Sequence, residues 1–447
     1  MKIDQTIFKA YDVRGVYPDQ INEDTARAIG RAYARWLTPK TVMIGRDVRL
    51  SSPSVQAALI EGLNGEGVDV VNIGVISTDM LYYAVATSGV DGGITVTASH
   101  NPREYNGMKF VRKDAIAVSS DTGLMEIAEL TTVDHVDTET KKGTESSQEI
   151  LAGYLKHIRK FVDMSCLKSL TVVANANFGL ATQVFTQALD GTPVKLVPLN
   201  ETPDGSFPKG RPDPLIPESR QETIEKIISS GADLGIAWDA DADRCFFYDE
   251  NGDFIDGYYM TAILAALQLD KFPGGKIIHD PRLIWAVEDT VKEHGGTALV
   301  NKAGHAFIKD RMRKEDALFA GEVSAHYYFH DNFYCDNGMI PALLVLEHLS
   351  KTGMKLSEVV APYRAKYFIS GEINNEVDNG AAIIARIKQD YGDGKIDEID
   401  GLSVMFSDWR FNVRMSNTEP TMRLNVEARS QKLMEAKRDE LLAIIRS

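Results

Sequence analysis

Leu234-Gly235-Ile236-Ala237-Trp238-Asp239-Ala240-Asp241-Ala242-Asp243-Arg244 decides the reading of this 447-residue chain. Its first five residues form an apolar run too short for a helix and bounded by a polar turn, which reads as a buried strand. The strand hands over at once to aspartates alternating with alanine. Residues 219–230 just upstream have helical spacing, so the local unit is helix, strand, polar loop.

The same rhythm recurs on both sides. Residues 41–45 read as a strand, followed by a helix that opens at Ser51-Ser52-Pro53, where proline lacks only an orphan donor, and carries Val55, Leu59 and Leu63 on one face. Strands at 68–73 and 93–96 follow, the second ending in Thr97-Ala98-Ser99-His100-Asn101-Pro102. Strands at 170–174 and 194–197 flank another helix. Strands at 276–279, 298–300 and 318–319 lead to Gly321-Glu322-Val323-Ser324-Ala325-His326. Three α/β units thus each deliver a polar loop at a strand end, where open α/β sheets bind ligands. The last segment differs: strands at 367–376, 404–406 and 423–426, a helix at 381–390, and a final amphipathic helix with Met434, Leu441 and Ile445 read as a smaller α+β domain. Linkers are expected near 135–147, 245–256 and 362–368, giving domains at 1–140, 141–250, 251–364 and 365–447.

Composition narrows the function classes. Apolar content of 44% and charged content of 25% are those of a globular chain. A net charge of −15 argues against a nucleic-acid or anionic-membrane surface, which clustered Lys and Arg would bind. No apolar run reaches membrane-spanning length, and no secretory leader follows Met1. Cys166, Cys245 and Cys335 are too scattered for a metal or disulfide framework, which fits a reducing cytoplasm.

Each polar loop carries its own chemistry. Asp239, Asp241 and Asp243 repel one another unless a cation sits among them or water solvates them, and hard divalent ions prefer such oxygen ligands. A generic acidic triplet is more often a surface turn; the apolar strand before it and Arg244 after it favour a metal site. Ser99 lacks the Gly-x-Ser-x-Gly elbow of hydrolases. In an extended segment its neighbour His100 points away and makes a poor base. Pro102 keeps Asn101 out of the helical region and the turn stiff. Lys109 comes within reach if the chain folds back through Tyr105-Asn106-Gly107, and burial with cationic neighbours would lower its pKa into the acid/base range. Glu322 and Ser324, two apart, share a face if extended and suit adjacent sugar hydroxyls. Arg414-Met415-Ser416-Asn417-Thr418-Glu419-Pro420-Thr421-Met422-Arg423 brackets small hydrogen-bonding residues with arginines, the makings of a phosphate cradle; a solvated hairpin loop is the plain alternative.

With these four loops in this order, the chain closely resembles the α-D-phosphohexomutase superfamily over essentially its whole length, from Ala10-Tyr11-Asp12-Val13-Arg14-Gly15 to the last basic loop. Gly304-His305-Ala306-Phe307-Ile308-Lys309 and the segment 321–329 are most similar to bacterial phosphomannomutases. The resemblance implies three related α/β domains with mixed sheets and a smaller C-terminal domain around a central cleft. It implies a cytoplasmic isomerase, monomeric or homodimeric, that acts on small hexose phosphates and uses one Mg²⁺ per chain and a hexose 1,6-bisphosphate activator. A role in GDP-mannose supply would follow. Ser99 would carry the phosphoryl group and join Asp239, Asp241 and Asp243 around the metal. His100, Lys109, Arg244 and His305 would be catalytic, with Lys109 a general acid/base. Tyr11, Arg14, Arg282, Glu322, Ser324, His326, Arg414, Ser416, Asn417, Thr418 and Arg423 would bind substrate. Two departures stand out: Ala240 stands where the family commonly has glycine and Ala242 where it often has glycine or phenylalanine, and alanine narrows the backbone options; Val323 stands where methionine is frequent. A phosphoglucomutase, a dual-specificity phosphomannomutase/phosphoglucomutase and a phosphoglucosamine mutase are the neighbouring alternatives. A serine hydrolase and a non-catalytic sugar-phosphate binder are the distant ones.

Overall fold

The structure is a computed structural model that describes residues 3–133, 141–415 and 421–447. The chain divides into two compact units, Met1–Phe254 with His326–Gly353, and Ile255–Ala325 with Met354–Ser447.

The first unit contains two mixed sheets. In one, Val13–Val16, Tyr105–Arg112, Gly92–Val96, Thr41–Arg46, Asp69–Val75 and Glu145–Ser147 lie side by side in that order. The last four run parallel, and Tyr105–Arg112 runs antiparallel to both of its neighbours. Every residue of Gly92–Val96 is buried. Its lack of any charged residue follows from that, since a central strand covered on both faces has no solvated side to alternate with. Ile94 and Val96 pack in one core with Ile29 and Tyr33 of the helix Glu23–Leu37 and with Leu59 and Leu63 of the helix Ser52–Gly65. In the other sheet Leu234–Trp238 is parallel to Thr171–Asn175, which is parallel to Lys195–Leu199, and antiparallel to Cys245–Tyr248. Cys245–Tyr248, expected as linker, is therefore a fully buried strand. Trp238 anchors the strand end before the aspartates: it is buried against Phe185 and donates from Nε1 to the Gly338 carbonyl at 2.7 Å.

In the second unit Thr297–Val300, Lys276–His279 and Phe319–Gly321 are parallel. The C-terminal sheet is wholly antiparallel and centred on Trp409–Met415 and Thr421–Ala428. The helix Gln431–Ile445 buries Met434, Leu441 and Ile445 in its core. Residues 362–366, expected as linker, close the helix Leu356–Lys366, and the expected strand at 367–376 is two short ones, Phe368–Ile369 and Ile373–Glu376.

Candidate active site

Ser99 sits just past the buried strand Gly92–Val96. Its φ of 49° is left-handed, a conformation that costs an L-residue about 1 kcal/mol and persists only when its surroundings impose it. Arg49 imposes it. This guanidinium has no exposed surface and donates to four carbonyls of the turn: Ser99 and Asn101 at 2.7 Å, Pro102 at 2.7 Å and Tyr105 at 3.0 Å. The reversal is thus complete before Tyr105. The expected turn at Tyr105-Asn106-Gly107 is instead the start of the returning strand, where the Asn106 amide donates to the hydroxyls of Ser51 and Ser52. That strand sets Lys109 opposite Thr95.

The left-handed twist also breaks the alternation of an extended chain. His100 therefore reaches Ser99 after all, with Nδ1 3.1 Å from Oγ, contrary to the sequence expectation. Burial and the neighbouring Arg244, Arg14, Arg211 and Lys109 hold the imidazole well below its usual range, so it is neutral at physiological pH. Arg244 Nη2 donates to Nδ1 at 2.6 Å, which leaves the ring proton on Nε2. Arg14 extends the cluster: it donates to Asn101 Oδ1 at 2.6 Å and pairs with buried Asp12. Tyr11 lies beside it in the approach to the strand Val13–Val16, close enough to act on its charge.

Opposite Ser99 stands the aspartate loop. Asp239, Asp241 and Asp243 are at most 1% exposed, and their carboxylate oxygens gather within 4.8 Å of one another. Ser99 Oγ donates to Asp239 Oδ2 at 3.0 Å. Lys109 Nζ donates to Asp241 Oδ2 at 2.7 Å and to Asp243 Oδ2, and His326 Nε2 lies 3.6 Å from Asp243 Oδ1. Burial, then Asp243 and Asp241, push the Asp239 carboxyl well above its ordinary range. Such mutual repulsion is what a divalent cation relieves. Asp241 Oδ1, buried and without a hydrogen-bond partner among the described residues, supplies an oxygen for one. The donor set, all hard oxygen, fits Mg²⁺. Ala242 holds φ at 55°, a left-handed backbone whose cost alanine bears. His326 and Asp243 form a second buried group with Asp336.

Lys109 departs from expectation. Burial alone would depress its pKa, but Asp241 and Asp243 outweigh it and hold the ammonium above its ordinary value. In these surroundings the ammonium is the countercharge of the two carboxylates.

In the second unit, Arg282 is a bidentate partner of Asp280, at 2.9 and 2.7 Å, and is 3.9 Å from Glu322. Glu322 Oε1 accepts from Gly304 N at 2.9 Å, which fastens it to the start of the helix His305–Glu315 and hence to buried His305. The segment from Glu322 to Ala325 closes as a turn, Ala325 N donating to Glu322 O, so Glu322 and Ser324 do not share an extended face. Arg282, Arg414 and Arg423 converge on Glu372, at 3.2, 3.9 and 3.3 Å. Burial would raise that carboxyl; the three arginines hold it below its usual range. Ser416, Asn417 and Thr418 lie outside the described residues.

Family models now place the chain. Phosphoglucomutase/phosphomannomutase α/β/α domain I matches residues 5–135, domain II 152–252, domain III 256–367, and the C-terminal domain 372–444. The chain belongs to the phosphoglucomutase/phosphomannomutase family, within the α-D-phosphohexomutases. It is 47% identical to a phosphomannomutase of Salmonella montevideo over 99% of both chains. It is 46% identical to a protein of Xanthomonas campestris pv. campestris named for phosphohexose mutases, over 98% of this chain and 99% of that one. A crystal structure of a phosphoglucomutase/phosphomannomutase family protein from Burkholderia thailandensis superposes with a TM-score of 0.89 at 32% identity, covering 100% of this chain and 98% of that one. Among the described residues of this family member, no helix is long and apolar enough to cross a membrane.

Several groups in the two units escaped sequence reasoning. Arg49 had a signal, since Asp47 and Arg49 follow the strand Thr41–Arg46 two residues apart and pair at 3.2 Å. Glu372 had none. Thr78 and Asp79, in the first turn of the helix Thr78–Ser88, are wholly buried. Asp79 accepts from the hydroxyls of Ser77 and Tyr154, and Tyr154 OH accepts from Asn337 at 3.1 Å. Burial pushes Asp79 from 3.8 up to about 7. Between those values the folded chain keeps a proton that the unfolded chain has released. Asp79's contribution to stability therefore falls as pH rises, by up to ~1.4 kcal/mol per pH unit, and levels off above the folded value. Asp79→Asn should flatten the decline and be the more stable protein at pH ~8. Guanidinium unfolding of both proteins at pH ~5 and ~8 checks this; identical pH dependence would assign the slope elsewhere.

Proposed function

We propose that the chain is a phosphomannomutase, interconverting mannose 1-phosphate and mannose 6-phosphate through phosphorylated Ser99 and a hexose 1,6-bisphosphate. The observation that carries the reading is the Ser99 hydroxyl hydrogen-bonded to Asp239 within a buried aspartate trio; the similarity to the Salmonella phosphomannomutase supports the sugar.

In the forward step the Oγ–P bond of phosphoserine breaks as a P–O bond forms to the sugar's free hydroxyl. The proton lost by that hydroxyl is matched by one gained at Ser99 Oγ. Rephosphorylation of Ser99 from the other position reverses the balance. His100, 3.1 Å from Oγ and itself held by Arg244, orients the serine for that return step. Lys109 and Arg244 stabilise charge on the transferring group. Asp239, Asp241, Asp243 and Ser99 would hold Mg²⁺, which when bound neutralises the phosphoryl oxygens. Glu322, Ser324 and Arg282 bind the sugar, His305 is catalytic, and Arg414 and Arg423 bind the non-reacting phosphate, in whose absence Glu372 pairs with the arginines.

The Xanthomonas relative, named for phosphohexose mutases in general, favours a second reading in which glucose phosphates are also used. The test is a coupled assay of mannose 1-phosphate and glucose 1-phosphate with Mg²⁺ and catalytic bisphosphate, with mass spectrometry of the protein. Turnover of the mannose ester with one phosphoryl group on Ser99 is expected. Conversion of glucose 1-phosphate alone would establish the phosphoglucomutase alternative.

A further inference from the structure

The reading of the aspartate trio as a metal site names ligands but leaves open what orients them. Asp241 is gripped at both ends by one residue. Thr78 donates its backbone N–H to the Asp241 carbonyl at 2.9 Å and its hydroxyl to Asp241 Oδ2 at 2.6 Å. The second bond spans 163 positions of chain and joins two family domains of the same unit. Lys109 Nζ takes the same Oδ2 at 2.7 Å. With two donors on Oδ2, the carboxylate is left with Oδ1, the buried oxygen that has no partner among the described residues.

We propose that Thr78 is a positioning residue for the metal ligand Asp241, holding its carboxylate so that Oδ1 alone is presented to the cation. Three features separate this from helix capping. Ser77, not Thr78, is the N-cap of the helix Thr78–Ser88. The Thr78 hydroxyl serves another domain rather than its own helix. The grip is also stiff, because a β-branched side chain has few rotamers, and because Asp79, next in sequence, is tied through Ser77, Tyr154 and Asn337 to segments on either side. Partners that orient metal ligands are worth ~10- to 100-fold in metal affinity when removed.

The proposal rests on the metal reading, and the experiment separates the two. Mn²⁺ binding to the purified full chain is titrated by electron paramagnetic resonance for the wild type, Thr78→Val and Thr78→Ser, alongside thermal melts. Valine keeps the shape and removes the donor; serine keeps the donor. Valine is expected to weaken Mn²⁺ binding by ~10-fold or more and to lower kcat while leaving KM for the sugar phosphate unchanged, with serine close to wild type in both. If the valine chain fails to fold, Thr78→Ala takes its place in the same titration. Wild-type affinity in the valine or alanine variant would overturn the role of Thr78 while leaving the metal site standing. A wild-type chain that binds no Mn²⁺ would remove the metal site and the role together.

Discussion

Ser99→Ala should fold and lose catalysis by ~10,000-fold or more, because removal of the group that carries the covalent intermediate leaves no alternative path through the same site. Folding should survive for a local reason. The backbone at 99 is held left-handed through its carbonyl by Arg49, and alanine accepts a left-handed backbone elsewhere in this chain, at Ala242 and Ala325. The lost bond from Oγ to Asp239 is one hydrogen bond, on the order of 1 kcal/mol, plus the cost of leaving a buried carboxylate oxygen less satisfied. A melting temperature within a few degrees of wild type, no phosphoryl group by mass spectrometry and no detectable isomerisation form the expected set. A variant that still isomerises mannose 1-phosphate at a wild-type rate would remove Ser99 from the chemistry. An inactive variant that remains phosphorylated would place the carrier at another residue.

How much of this was legible beforehand divides along physical lines. The strand Leu234–Trp238 and its aspartates were readable because a fully buried strand is an unbroken apolar run and because like charges at close spacing have few stable settings. The serine loop was readable in place but not in shape. Nothing in Ser99-His100-Asn101-Pro102 announces a left-handed residue, and that one dihedral turns His100 from a side chain facing away into the nearest ring to Oγ. The expected depression of the Lys109 pKa reverses because the carboxylates it meets, Asp241 and Asp243, stand 132 and 134 positions away, beyond the reach of local sequence. Cys245–Tyr248 reads as linker because in sequence the aspartate loop looks like the end of its unit, whereas it is a corner between two antiparallel neighbours. Arg49 and Thr78 act by gripping backbone or a distant carboxylate, and such roles leave no periodic trace.

Lys109→Met carries the other large effect, and its size depends on the divalent ion. The lysine ammonium is 5% exposed and neutralises Asp241 and Asp243, themselves at most 1% exposed. Methionine keeps the length of the apolar stem but removes the charge, which leaves two buried carboxylates facing each other and Asp239. Breaking a buried pair from one side costs ~3–5 kcal/mol, so in the presence of a chelator the variant should unfold well below the wild type. A divalent cation among the same carboxylates restores the missing positive charge. Adding Mg²⁺ should therefore raise the melting temperature of the variant by more than that of the wild type, which already holds its own countercharge. Activity should not return with stability, since an acid and a charge beside the transferring phosphoryl group are worth ~100- to 10,000-fold. Equal Mg²⁺-induced shifts in the two proteins would mean that Lys109 and the cation do not answer to the same carboxylates. Activity restored along with the melting temperature would reduce Lys109 to a structural countercharge.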